Sequence, residues 1–403
     1  MNLIEPIQRG AAEMAALRRD LHAHPELRFE ETRTAEIVRR KLEAWGLTAH
    51  TGWAKTGVIA LVPGRDGGKN GRAIALRADM DALPITERNS FAHASRAPGK
   101  MHACGHDGHS AMLLAAAQHL SRQRDFDGTA VLIFQPAEEG GGGALAMLQE
   151  GLFAKFPVEA VFGMHNWPGL PVGTMAVSPG PVMASANDFN IVVRGRGSHA
   201  AMPHQSVDPV LVACQLIQAA QSIVSRNLNP LDTAVLSVTI VRAGEATNVI
   251  PQSCEIRGTV RTFRVDVLDQ IEARLGALAH GVCASFGATC EFEFIRRAPP
   301  VINHAREAHF AAGVMRTVVG EAGTRLQEPA MASEDFAYML QAKAGCYAFI
   351  GNGEGQHRDI GHGEGPCMLH NPSYDFNDEL IPLGATYWVR LVEAWLGANP
   401  SVP

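Results

Sequence analysis

Short, unbroken apolar runs set the pattern of the first half of the chain, at residues 57–62, 73–76, 130–134 and 160–164. Runs of this length without alternation predict strands buried on both faces. Between the second and third, residues 110–120 read as a helix. Two amphipathic helices come earlier. One carries Met14, Leu17 and Leu21 and ends before Pro25; the other gathers Ile37, Val38, Leu42 and Trp45 on one face, with Gly46 as its C-terminal stop. Buried strands alternating with helices predict an α/β domain around a mostly parallel sheet covered on both faces.

The texture changes near Asp188. DFNIVVRG alternates like a half-buried strand, and residues 209–224 read as a helix with Asp208 as N-cap and Pro209 at its first position. Strand patterns follow at 235–241 and 254–260. Next come a helix carrying Val267, Leu268, Ile271, Leu275, Leu278 and Val282, and CEFEFI as a last strand. The order β-α-β-β-α-β predicts a ferredoxin-like α+β unit. After Pro300 the first texture resumes, with a helix at 309–319 and a strand at 347–350. The expected organisation is an α/β domain in two parts, residues 1–186 and 298–403, interrupted by an inserted domain at 187–297.

Composition narrows the function. A chain of 403 residues with 46% hydrophobic content supports two cores. Its net charge of −6 is spread without blocks, which argues against nucleic acid or an anionic membrane surface as partner. The opening MNLIEPIQRG lacks the basic start and apolar run of a signal peptide, and no apolar stretch is long enough to span a bilayer. Seven scattered cysteines, an odd number, read as reduced thiols, so the cytoplasm is the expected compartment.

The chemistry concentrates in two runs. MHACGHDGH places Cys104 two residues before His106, and QPAEEG sets Glu138 beside Glu139. With His165 and His370 these supply thiolate, imidazole and carboxylate donors, the set that borderline divalent cations prefer. Cys104, His106, Glu139, His165 and His370 are therefore candidate metal ligands, and Glu138 is the candidate general base and acid. The plain alternative is a buried cysteine and histidines that start a helix. It must explain separately why such residues punctuate the ends of successive buried strands: Asp79 and Asp81 just past the second, Glu138 and Glu139 after the third, His165 after the fourth. Ends of parallel strands are where sites form in such sheets. Asp79 and Asp81 are candidates for orienting ligating imidazoles, with turn capping an equal alternative for Asp79. The glycines at 140–143 suggest a sharp or moving backbone there.

In the inserted domain His199 is a candidate donor to an oxyanion. Asn248 and Arg261 are candidates for gripping a substrate carboxylate, although Arg261 also fits a surface strand. HAHPELRFEE is distinctive, and a structural role is expected for its His22 and His24. Other chemistries find little support. GRGSHA matches a dinucleotide pattern only nominally, because Pro203 interrupts the helix that should follow. No Lys-Ser or Lys-Thr follows the glycine run, and neither a G-x-S-x-G elbow nor H-E-x-x-H occurs.

Together HPELRFEE, RADMDALP, MHACGHDGH, FQPAEEG, GMHN, GSHAAMPH, NVIP, SEDFAY and LHNPSYDFND resemble the metallo-amidohydrolases that include hippurate hydrolases, aminoacylases and auxin-conjugate hydrolases. That resemblance implies a zinc-peptidase-like catalytic domain with an inserted lid through which members often form homo-oligomers. It puts Cys104, His106, Glu139, His165 and His370 on metal-ligand positions, Glu138 on the catalytic glutamate, and His199 on a lid histidine that completes a site in the partner subunit. Asp79 stands where wider relatives carry a ligating histidine. The implied cofactor is one or two divalent ions per subunit (zinc, manganese, cobalt or nickel), and the implied reaction is hydrolysis of N-acyl amino acids. The rivals are a metallo-carboxypeptidase or dipeptidase on the same scaffold and a catalytically silent binding protein.

Overall fold

The four apolar runs become strands of an eight-stranded sheet among the described residues, which are 1–358 and 360–397 of a computed structural model. Its order is Ala49–Trp53, Gly57–Pro63, Thr129–Gln135, Ala73–Asp79, Ala160–Pro168, Gly345–Gly353, Met175–Ala176 and Thr324–Arg325. The middle four run parallel, with antiparallel partners on either side. They are buried almost throughout, which is why they read as unbroken apolar runs. Helices Glu5–Ala23, His106–Arg122 and Leu380–Leu396 pack on one another over this core. The unit comprises Met1–Val182, Ile302–Glu328 and the chain from Asp335 onward.

The strands outrun their apolar cores. Asp79 is the last residue of its strand rather than beyond it, and His165 lies inside Ala160–Pro168. Backbone pairing continues past the point where side chains turn polar, so hydropathy marks the core but not the strand end. Register sets Asp79 opposite Gln135, and Arg77 opposite Gly163, so Asp79 and His165 reach the same carboxyl edge.

The second unit comprises Met183–Val301 with Pro329–Glu334. Its four-stranded antiparallel sheet runs Ala234–Ala243, Ser253–Thr262, Ala186–Arg194, Thr289–Ala298, with helices Pro209–Ser222 and Val265–Ser285 as the two crossovers. This is the ferredoxin-like arrangement. Phe189, Ile191 and Val193 alternate inward against Leu216, Ile271 and Leu275. Asp208 caps the first crossover helix, accepting the Val210 and Leu211 amides at 2.9 and 3.4 Å. Among the described residues no helix is long and apolar enough to cross a membrane.

Candidate metal centre

Gly105 makes the first ligand pair possible. It sits at φ +92°, immediately before helix His106–Arg122. A Cβ there would fall 2.2 Å from Asn166 Nδ2 and 2.5 Å from the Tyr374 hydroxyl. Glycine supplies both the left-handed turn and the close approach. Cys104 and His106 thereby flank the turn, and their donor atoms lie with that of His165 inside a 4.8 Å triple. Two more such triples, Cys104–Glu139–His370 and His106–Glu138–Glu139, share members with the first. Six residues therefore converge on one locus at the carboxyl edge of the sheet, buried at Cys104, His106 and His165 and open to solvent at His370.

Neighbouring groups aim each donor. His165 donates from Nδ1 to the Asn166 carbonyl at 2.6 Å, which leaves the Nε2 lone pair 3.3 Å from Cys104 Sγ. His106 gives Nδ1 to Asp81 Oδ1 at 3.3 Å, while its buried Nε2 has no hydrogen-bond partner. A buried ring nitrogen left over in this way is a donor waiting for an acceptor of lone pairs. Asp81 also accepts the Glu138 and Glu139 amides, at 3.0 and 2.9 Å, so one carboxylate fixes both the imidazole and the glutamate turn. His370 adopts φ +62°, donates its amide to the Ala103 carbonyl at 2.7 Å, and brings Nε2 within 3.3 Å of Glu139 Oε1 without hydrogen-bond geometry. Left-handed backbone on a histidine is strain of the kind that collects at functional sites.

The electrostatics call for a cation. Burial pushes the Cys104 thiol far up, and Glu139, Glu138 and Asp79 push it the same way. Burial pulls His106 down, but Asp79 and Asp81 outweigh it and raise the ring to about 10. Burial, with His109 and His106 adding to it, holds His165 well below its ordinary value and therefore neutral. A thiol, two imidazoles and carboxylates crowded in low dielectric suit a borderline divalent ion, which would displace the protons of the Cys104 thiol and of His106 Nε2 and take up the lone pairs so freed.

A sequence model of peptidase family M20/M25/M40 matches residues 75–394. The chain belongs to that family. It is 39% identical to N-acetylcysteine deacetylase of Bacillus subtilis (strain 168), with 93% of this chain and 94% of that one covered. Hippurate hydrolase of Campylobacter jejuni is 38% identical, with coverage of 98% and 100%. Among solved structures, a dinuclear metal-binding peptidase of the M20 family from Bacillus subtilis superposes with a TM-score of 0.82 at 35% identity, covering 96% of this chain and 99% of that one.

Several residues around this M20 site escaped the sequence reading. His109 lies one turn beyond His106 but is spent elsewhere: Nδ1 donates to Asp79 at 2.6 Å and Nε2 accepts the Asn166 amide at 3.0 Å. Both ring nitrogens are engaged, so His109 is a brace and not a free donor. Asp79 takes a second bond from Arg77 at 2.7 Å, and Arg77 reaches Gln135 at 2.8 Å. Asn166 donates to the Cys104 carbonyl at 2.7 Å and accepts from Tyr374 at 2.7 Å. Asp335, from SEDFAY, accepts the Ala144 amide at 2.9 Å, and its own amide lies 3.4 Å from Glu138 Oε1. Of these, the sequence pointed to Asp79 as a partner for an imidazole, which it is through His109, and to Asp335 only as part of SEDFAY.

His199, Asn248 and Arg261 lie in the second unit. His199 pairs with Val249 in a two-residue strand, and the Asn248 carbonyl accepts the Ala200 amide at 3.0 Å, so those two residues are neighbours. His199 is exposed, and its Nδ1 accepts the Ala201 amide at 3.0 Å, which places its proton on Nε2. Arg261 is half-buried on strand Ser253–Thr262; burial lowers its pKa and Asp188 offsets part of that.

Proposed function

We propose that this chain is a metal-dependent amidohydrolase that cleaves the amide bond of N-acyl amino acids, releasing a carboxylic acid and the free amino acid. The observation that carries the reading is the convergence of Cys104, His106, Glu139, His165 and His370 beside Glu138, in a chain nearly two-fifths identical to a hippurate hydrolase and an N-acetylcysteine deacetylase. In this reading those five residues hold the metal, which is zinc, manganese, cobalt or nickel. Bound there, a divalent cation supplies Lewis acidity toward a carbonyl and toward water. Glu138 takes the proton that water gives up as it adds to the amide carbonyl, and passes it to the leaving nitrogen. Asp79 and Asp81 orient the imidazoles, Asp81 through His106 and Asp79 through His109. In the inserted unit, the Nε2–H of His199 is the donor to the developing oxyanion, and Asn248 with Arg261 grips the substrate carboxylate. We further assign the chain to the cytoplasm and a homo-oligomeric contact to its inserted unit.

The test is a panel of acetyl, benzoyl, long-chain and indoleacetyl amino acids, with free dipeptides alongside, assayed before and after chelation. Chelation should abolish turnover and a divalent ion should restore it. Full activity in rigorously metal-free protein would remove the mechanism. Faster turnover of dipeptides than of every N-acyl amino acid would select the peptidase alternative.

A further inference from the structure

The N-terminal motif HPELRFEE holds a buried carboxylate that the reaction as described does not use. Glu31 is fully buried and stands at the head of helix Thr32–Ala44, yet its side chain makes no capping bond to that helix. It turns instead toward the glutamate turn. Oε1 accepts the Ala137 amide at 2.8 Å and the Phe29 amide at 3.0 Å, and Oε2 accepts the Thr56 hydroxyl at 2.5 Å.

Ala137 directly precedes Glu138 and has φ +55°. Phe29, Ala54 and Lys55 around the same carboxylate also have positive φ, at 62°, 44° and 76°. Left-handed backbone is rare for residues with a Cβ and persists only where the surroundings over-determine it. Here they do. Three successive amides, of Ala137, Glu138 and Glu139, are each taken by a buried carboxylate, the first by Glu31 and the next two by Asp81. Two anchors on consecutive amides of this turn set the direction in which both glutamates leave the backbone. Arg28, from the same motif, adds a bond to the Glu139 carbonyl at 3.1 Å.

We infer that Glu31 is a positioning residue for Glu138 and Glu139, holding Ala137 in its left-handed conformation so that the proton carrier and its neighbouring ligand project into the centre together. The inference rests on the function proposed above, since it assigns Glu31 to that same site. What it requires of Glu31 is an acceptor at the right reach, and not a charge. Glu31→Gln keeps an oxygen at the Oε1 position for both amides and an NH2 that can meet Thr56. Glu31→Asp keeps the charge but is one methylene short. Glu31→Leu removes the acceptor and keeps the bulk.

Apoprotein of each variant, checked for native circular dichroism, is titrated calorimetrically with Zn²⁺ and Mn²⁺ and then assayed at saturating metal. Loss of a supporting hydrogen bond around a ligand typically weakens metal binding 10–100-fold, and a displacement near 1 Å of a reacting group costs about 10²-fold in rate. Glu31→Leu and Glu31→Asp should both weaken the metal by about tenfold or more and lower kcat about 10²-fold, with KM within about threefold of the parent. Glu31→Gln should remain within about threefold of the parent on every measure, a rescue that a merely buried charge would not give. If Glu31→Leu does not fold, Gln against Asp still decides between reach and charge. Folded Glu31→Leu or Glu31→Asp with parental metal affinity and kcat overturns the assignment, as does a Glu31→Gln as impaired as either. A parent apoprotein that takes up no divalent cation would instead sink the metal-hydrolase reading itself.

Discussion

Glu138 and Glu139 share a turn and a common anchor in Asp81, yet they are assigned different work. Glu138→Gln preserves size and most hydrogen bonding but removes the base. Turnover should fall about 10²–10⁴-fold, the usual scale of general acid–base catalysis, with metal content near that of the parent. Glu139→Gln should lose metal as well as rate, because a neutral amide is the poorer ligand. Metal analysis with kinetics on both purified variants separates the roles, and the opposite pattern would exchange them. Residues of this kind are legible in sequence because cysteine, histidine and paired glutamate beside apolar runs have few competing uses. Those that brace them are not. Asn166, Tyr374 and Glu31 are ordinary residue types, and what they do depends on partners up to 208 positions away, as for Tyr374 and Asn166. Only folding brings such partners together.

At the scale of elements, the apolar runs located the inner strands but stopped short of their ends, because the carboxyl ends carry Arg77, Asp79, Gln135 and His165, whose polar side chains break the hydropathy signal while the ladder continues. The opposite failure concerns helix Leu380–Leu396. It is buried on nearly every side, and Pro382 and Gly384 in its first turns read locally as helix breakers. The turn from Cys104 into helix His106–Arg122 was legible as chemistry but not as geometry. Gly105→Ala tests the geometry. The added methyl meets the Asn166 amide nitrogen at 2.2 Å and the φ of +92° is strained for any L side chain. The two effects together should cost on the order of 1–3 kcal/mol or more of stability. Metal affinity should also drop, since Asn166 must yield and it holds the Cys104 carbonyl. Thermal unfolding and metal titration of that variant check both; parental values in each would show that the loop relaxes freely.

Across the whole chain, the first unit is split in sequence by the second, and a buried ionic network joins its distant parts. Arg18 bonds Asp378 at 2.7 Å and Asp375 at 2.9 Å, while His22, from the same helix, bonds Asp107 at 2.9 Å and Glu87 at 3.3 Å. The sequence offered His22 only as a helix residue of structural character; the network behind it depends on residues more than 350 positions away, such as Asp375 from Arg18. Burial alone would lower the His22 pKa, but Asp107 and then Glu87 outweigh it and raise the ring to about 10 from an ordinary 6.5. A group raised on folding contributes stability that is complete below its unfolded value and is lost as pH rises through its folded one. His22 should therefore stabilise the first unit fully below about pH 6.5 and progressively less up to about pH 10. Its replacement, His22→Gln, keeps a polar side chain without the charge. In chelator, so that metal loss does not enter, urea unfolding should find the parent clearly more stable than His22→Gln at pH 6.5, with the gap narrowing steadily as pH rises toward 10. A gap that stays constant over that range would mean that His22 is held neutral and that its contribution is packing and hydrogen bonding alone.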